Sequence, residues 1–154
     1  MTYWLLKSEP DTFGIEHLAA APKRTSAWDG VRNYQARNLL RDEVKRGDQA
    51  FLYHSSCAVP GIAGVVTVTR AGYADATQFN RKSQYFDAAS KVDSPRWYAI
   101  DVQLTRRCKR VITLDELRAH ADGKLRGMRL LQRGNRLSVM PVSDAHWHFI
   151  LTLE

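Results

Sequence analysis

An α+β fold, a small and partly open β-barrel with helices packed between its strands, is what three features of this sequence predict. Stretches with strand character outnumber those with helical rhythm. The longest, Gly61 to Tyr73, carries Ile62, Val65, Val66, Thr67, Val68 and Thr69, β-branched residues that suit a pleated, half-buried surface. Tyr98, Ile100, Val102 and Leu104 alternate with Ala99, Asp101, Gln103 and Thr105, the period of two expected of a strand with one face in the core. The links are short, and their order fits antiparallel pairing better than a doubly wound parallel sheet.

Each element has its own local reason. Tyr3 to Leu6 reads as a short buried strand ended by Lys7-Ser8-Glu9-Pro10, since proline removes a ladder donor. Lys7 and Ser8 thus stand at a strand end, a rigid place from which to project functional groups. A helix follows, with Phe13, Ile15 and Leu18 on its apolar side, Gly14 as N-cap and Pro22 beyond its end. Asn33 caps a second helix that runs to about Lys45, with Ala36, Leu39, Leu40 and Val44 as its apolar rhythm. Gly47-Asp48 turns the chain into a strand from Gln49 to His54, and residues 55–60 form a loop. Gly61 and Gly64 in the next strand imply a bend or a close backbone approach.

Residues 74–96 show little periodicity and read as a long loop with a helical turn, whose aromatic residues Phe79, Tyr85 and Phe86 argue for packed order. The basic run Arg106, Arg107, Lys109 and Arg110 is expected at the solvated end of the strand that starts at Tyr98. Thr113-Leu114-Asp115-Glu116 is a capping box opening a short helix through Leu117 to Ala119. Met128, Leu130 and Leu131 mark a further apolar stretch, and Arg136 to Val139 is read as a short strand before Pro141. Ser143 caps a last turn of helix, Asp144 to Trp147, and Phe149 to Leu153 is expected to close the chain as a strand. Trp4 and Trp147, set in apolar runs, read as core.

At 154 residues the chain can build one core without staples, so a single domain over 1–154 is expected. A hydrophobic fraction of 44% and a charged fraction of 25% exclude a disordered or low-complexity chain. No apolar run has the length of a membrane span and no signal peptide is seen at the start, so the expected setting is cytoplasmic with no membrane partner. Cys57 and Cys108 are widely spaced and outside any CxxC pattern, which suits a reducing compartment, and both read as buried small hydrophobes. The net charge of +7 and pI of about 9.7 favour an anionic partner, with nucleic acid first, because arginine forks onto phosphates and stacks on bases. The charge is uneven. Between Leu117 and Ser143 the single acid is Asp122, against Arg118, Lys124, Arg126, Arg129, Arg133 and Arg136.

No histidine has helical spacing to a carboxylate or thiol that would hold a metal, and no cofactor is expected. His54-Ser55-Ser56-Cys57 puts a base and nucleophiles close together. The nucleophile elbow, the dinucleotide fingerprint and the Walker loop are all missing, however, so no catalytic residue is assigned and a hydrogen-bonding role at a pocket rim suits His54 and Ser55 better. The richest stretch is Trp28 to Asn38, WDGVRNYQARN. An indole precedes an Asp29-Gly30 turn, and Arg32, Asn33, Tyr34, Gln35, Arg37 and Asn38 follow at a helix start. Two readings stay open: a core tryptophan with capping polar residues, or an aromatic plane beside amides and guanidiniums that holds a flat hydrogen-bonding ligand. Asp93 to Trp97 poses the same alternative, with Trp97 filling the barrel and Arg96 paired to Asp87 or Asp93, or both facing a ligand. Arg136-Leu137-Ser138 is either a plain edge strand or part of a site.

KSEP (Lys7–Pro10), WDGVRNYQARN, YHS (Tyr53–Ser55), PGIAG (Pro60–Gly64), SPRW (Ser94–Trp97) and RLSVMPV (Arg136–Val142) together resemble the EVE domain family in order and spacing from end to end. Gly14, where a capping serine is usual, and Met140, where glutamine is usual, are departures, and neither is one of the pocket residues. The resemblance implies a PUA-like pseudo-barrel related to YTH and ASCH domains, and recognition of a modified base in RNA or DNA without enzymatic activity. It implies a pocket between the barrel and the helix that starts at Asn33, in which Trp28 stacks on an extruded base, with Lys7, Ser8, Asn33, Tyr34, Arg37, His54, Ser55, Arg96, Trp97, Arg136 and Ser138 around it. The alternatives are a component of an RNA-modifying enzyme, in which His54 or Cys57 would have to act, and a sensor of a free nucleoside or anion.

Overall fold

The computed structural model describes residues 1–154. Its frame is one six-stranded sheet, made of β1 (Tyr3–Ser8), β2 (Thr25–Trp28), β3 (Gln49–His54), β4 (Gly61–Ala74), β5 (Tyr98–Thr113) and β6 (Val139–Val142). The order across the sheet is β2-β5-β4-β3-β1-β6. The pair β1–β3 is parallel and every other pair antiparallel. Its ends do not meet, so this is an open, curled pseudo-barrel with β2 and β6 as edges. The curl is built into β4 and β5, which pair through four register shifts; each shift bends the strand and increases its twist. Gly64 sits where the curl tightens. A Cβ there would lie 2.7 Å from Ile15 Cδ1 and 2.9 Å from the Arg106 carbonyl oxygen, so a side chain would push the first helices off the sheet.

Helices α1 (Pro10–Phe13) and α2 (Ile15–Ala20) follow β1, and the Gly14 N–H between them bonds His17 Nδ1 at 2.9 Å. Helix α3 (Tyr34–Asn38) opens on Asn33, whose side chain accepts the Ala36 N–H at 2.9 Å. It then widens into one π-helical turn over Leu39–Glu43. Helices α4 (Leu114–Arg118) and α5 (Asp144–Leu151) complete the set. Thirty-three buried residues form one hydrophobic cluster. Trp147 stacks between Tyr3 and Phe51 in it, with ring centroids 4.3 and 4.0 Å away. Trp4 reaches the buried Asp48 through its indole N–H at 2.9 Å. No helix is long and apolar enough to cross a membrane.

Several expectations need correction. The C-terminal segment is helical through Leu151, not a strand after Phe149. Trp147 and Ile150, three apart, are buried while Asp144, Ala145 and His148 face solvent, and a period near 3.6 can do that where a period of two cannot. The short strand near Pro141 is Val139–Val142, three residues later than read, and proline is tolerated inside it because β6 is an edge. Strand β2 carried no alternating signal and was not anticipated. The basic run is solvent-exposed as expected, but β5 continues past it to Thr113, and its arginines pair with carboxylates: Arg106 with Glu154, Arg107 with Glu16, Arg110 with Glu116. That last pairing also takes the Glu116 side chain away from the expected capping box, of which the Thr113 half alone forms. Cys57 and Cys108 are free and half-exposed, not buried.

Candidate functional site

Where the ends of β1 and β2 meet the turn after Trp28, the sheet leaves a cavity of about 680 Å³, within the range of about 300–1,000 Å³ usual for ligand sites. Lys7 and Ser8 come from the end of β1, Thr12 and Phe13 from α1, residues 26–32 from β2 and its turn, Gln84 and Tyr85 from the long loop, and Arg136 and Ser138 from the approach to β6. The β1–β6 pairing carries on past the named strands through a Lys7 N–H bond to the Ser138 carbonyl at 2.9 Å, which fixes these two walls together.

The turn is held from beneath by Asp75. Its carboxylate is fully buried and accepts the Gly30 N–H at 2.8 Å, Arg32 Nη1 at 3.0 Å and the Thr77 N–H at 2.8 Å. Burial alone would raise its pKa, but a bond from the Thr77 hydroxyl, together with those from Gly30, Arg32 and the Thr77 N–H, outweighs it and holds the carboxyl below its usual range. Gly30 has a φ of +77° and a Cβ there would lie 2.6 Å from the Tyr85 ring, so the turn requires glycine on both counts. Arg32 is fully committed: it bonds the Tyr85 and Val31 carbonyls, Asp75 and Thr77 Oγ1, and its guanidinium lies over the Tyr85 and Trp97 rings. It is a strut, not a free ligand group.

On the inner wall the situation is reversed. Ser8 Oγ is buried with no hydrogen-bond partner. Lys7, half-buried, has its pKa lowered by burial and no carboxylate against it. The Asp29 carboxylate accepts nothing from another residue; burial, and secondarily the charge of Asp75, raise its pKa. Neither the Arg136 guanidinium nor Ser138 Oγ bonds to protein. Buried polar groups in folded proteins are nearly always paired, so the buried and unpaired Ser8 Oγ is the mark of a site that a ligand completes, with half-buried Lys7 and Ser138 and the solvent-facing Asp29 and Arg136 free to join it.

Of the residues singled out from the sequence, the structure brings Lys7, Ser8, Trp28, Ser55, Arg136 and Ser138 together around this cavity. The other six lie outside it, and all of them are engaged elsewhere. Asn33 caps α3. Tyr34 stacks on Trp97 at 4.9 Å, and Trp97 gives its indole N–H to Asp87 at 2.8 Å. Arg37 bonds the Arg96 carbonyl, and Arg96 stands 4.0 Å from Asp87. His54 Nε2 accepts the Ile15 N–H at 3.1 Å, tying β3 to the start of α2. Trp28 combines both readings left open. Only 6% of it is exposed, so most of the indole belongs to the core, yet the remainder borders the cavity. Asp29, Tyr85, Phe13 and the buttress Asp75 carry no sequence signal that marks them as site residues, and Arg32, read as a guanidinium beside the aromatic plane, is spent on the turn instead.

A second hollow adjoins the first through Arg136. It is lined by Arg129, Arg133, Arg136, Gln132, Asn33, Gln35 and Asn135 with no acid among its nine residues, and its three guanidiniums form no ion pair.

A curled sheet with one parallel pair, helices tucked against it and a polar cavity beside a basic trough define a PUA-like pseudo-barrel with a candidate ligand site. The EVE domain family model matches residues 2–153, and the chain belongs to that family. It is 46% identical over 166 residues to zebrafish (Danio rerio) thymocyte nuclear protein 1, covering 98% of this chain and 71% of that protein. Among solved structures, human THYN1 in complex with DNA containing 5-methylcytosine is 43% identical with a TM-score of 0.95, over 99% of this chain and 97% of that one. A protein from Pseudomonas putida is 48% identical with a TM-score of 0.92, over 98% of each chain.

Proposed function

We propose that this chain is a nucleic-acid-binding module that reads a modified base, extruded into the cavity beside Trp28. The observation that carries this is the wall of unpaired polar groups, with the buried, unbonded Ser8 Oγ at its centre. Outside the cavity Asn33, Arg37, His54 and Trp97 of the same motifs have hydrogen-bond partners within the protein. A flat heterocycle presents donors and acceptors at its edge and an apolar face, which suits Lys7, Ser8, Asp29, Arg136 and Ser138 around the borders of Trp28, Phe13 and Tyr85. Extrusion costs a few kcal/mol, and contact with aromatic side chains returns roughly 1–3 kcal/mol per base. The relative held with 5-methylcytosine DNA favours DNA bearing a modified cytosine over RNA. Arg129, Arg133 and Arg136 would then follow the flanking phosphates. The β5 arginines, already paired with carboxylates, would contribute little.

Binding rather than catalysis is the reading because the base nearest the site is occupied. His54 uses its Nε2 lone pair on the Ile15 N–H, and Cys57 lies outside the cavity lining. Two free thiols suit a cytoplasmic setting.

The test is equilibrium binding of oligonucleotides that differ at one cytosine, methylated or not, over a salt series, alongside the free nucleoside. A reader prefers the methylated strand and weakens steadily as salt rises. Equal affinity for both strands, or tight binding of the free nucleoside without salt dependence, would instead point to a non-selective binder or a nucleoside sensor.

A further inference from the structure

We propose that Asp29 makes this cavity select a base carrying an exocyclic amino group, so that it accepts 5-methylcytosine and rejects thymine, which has the same ring and the same methyl group. The inference rests on the base-reading function above and names the chemical feature read.

The backbone of Asp29 is fixed on both sides. Trp28 before it pairs with Ile100 across β2–β5, and the Gly30 N–H after it is pinned to Asp75 Oδ2 at 2.8 Å. The carboxylate borders the cavity and bonds no other residue. Its nearest guanidinium is Arg32, whose N–H groups already go to Tyr85, Val31, Asp75 and Thr77. The neighbouring Asp75 is itself satisfied and only adds negative potential. Asp29 is thus an acceptor on a fixed backbone that no donor from another residue serves.

The other unpaired groups of the wall, Lys7, Ser8, Arg136 and Ser138, are all donors or can be. A ligand that completes the set needs acceptor atoms on one side and a donor on the other. The Watson–Crick edge of cytosine has that pattern, with O2 and N3 accepting and N4–H₂ donating, and carboxylates are the usual protein partners of that amino group. Thymine puts O4 where the amino group stood. An oxygen facing a carboxylate gains no bond and is repelled, and a site built around a hydrogen bond rejects an analogue lacking it far better than a hydrophobic slot rejects a methylene. Burial and then the charge of Asp75 raise the pKa of the Asp29 carboxyl, with Arg32 opposing. Glu9 also borders the cavity and, like Asp29, is exposed, but it lies at the N-cap of α1 and not beside Trp28.

The experiment compares parent, Asp29→Asn and Asp29→Ser in binding two duplexes, one with 5-methylcytosine and one with thymine at the target position, each opposite an abasic site so that extrusion costs are alike. The parent is expected to prefer 5-methylcytosine by about ten- to a hundredfold. Asp29→Asn, whose amide offers an oxygen or an NH₂, should bring the two within about threefold, and Asp29→Ser should do the same. Asp122→Asn, on the exposed surface, controls for the lost charge. Thermal unfolding of each variant reports folding, and loss of a carboxylate beside Asp75 is expected to leave it intact. If the parent prefers 5-methylcytosine and both Asp29 variants keep that preference, another group reads the amino function and this inference fails while the base-reading cavity stands. If the parent binds both duplexes no better than one with an abasic site at the target, the cavity takes no base and both readings fall.

Discussion

Replacing Ser8 by alanine should make the free protein more stable and its complex weaker, an opposition of signs that few substitutions produce. Ser8 Oγ is buried and has no partner, and an unsatisfied buried polar atom costs about 1–3 kcal/mol. Alanine removes that penalty; its lower strand propensity and the small space it leaves take part of the gain back, so a net of about 1–2 kcal/mol is expected. For a chain of this size that is a rise of about 2–8 °C in Tm, at about 2–4 °C per kcal/mol. In the complex the same hydroxyl bonds the ligand, and its loss should weaken binding about tenfold. Calorimetry with and without a 5-methylcytosine oligonucleotide reads both effects together. At a ligand concentration one hundred times the parent Kd, the parent gains about 2.7 kcal/mol and a tenfold weaker variant about 1.4 kcal/mol. The Tm gap between the two proteins should therefore narrow or invert on adding ligand. A variant that loses stability in the free state would show that the hydroxyl has a structural partner, and the argument from the unpaired wall would fail.

Three further outcomes follow from the same geometry. Asp75→Ala should cost about 3–5 kcal/mol in urea unfolding, because it leaves the mostly enclosed Arg32 guanidinium without its carboxylate; a loss under about 1 kcal/mol would mean that Asp75 does not hold the Trp28–Arg32 turn. His54 has its pKa lowered by burial, with the Glu16 charge opposing, and as an acceptor from Ile15 it must be neutral. A folded pKa below the ordinary value of about 6.5 makes its contribution full above that pH and lost as pH falls through the folded value. A histidine titration by NMR should find it neutral at pH 7, and His54→Ala should cost about 1 kcal/mol of stability without changing oligonucleotide affinity. Arg129→Ala with Arg133→Ala should lower the slope of log affinity against log salt by about 1.4–1.8 while sparing the preference for the methylated base; an unchanged slope would place the phosphates elsewhere.

The strands were legible because β-branched runs and clean alternation in β4 and β5 are local signals, and the glycine positions gave away the curl. Strand β2 was not, because four residues, TSAW, have no period of their own and are held by register against β5. The last helix was misread for a similar reason: HWHFIL is apolar enough for either period, and burial of Trp147 and Ile150 together decided it. Within the site, Lys7 and Ser8 could be found from a strand end closed by proline. Asn33 and His54 share that signature, polar residues at element ends, but element ends also need caps, and the chain used both for that purpose. Asp75 carries a local sign, an Asp two residues before Thr77 in a turn. Its partners Gly30 and Arg32 lie more than forty positions away, a separation that no local pattern records.

The central claim, that one base leaves its helix to fill the cavity beside Trp28, is tested most directly by a crystal structure of this chain with a duplex carrying a single 5-methylcytosine. The expected result is the methylated base between Trp28, Ser8 and Asp29, with the phosphates beside it on Arg136. A duplex bound with every base still stacked, and the cavity open to water, would contradict it.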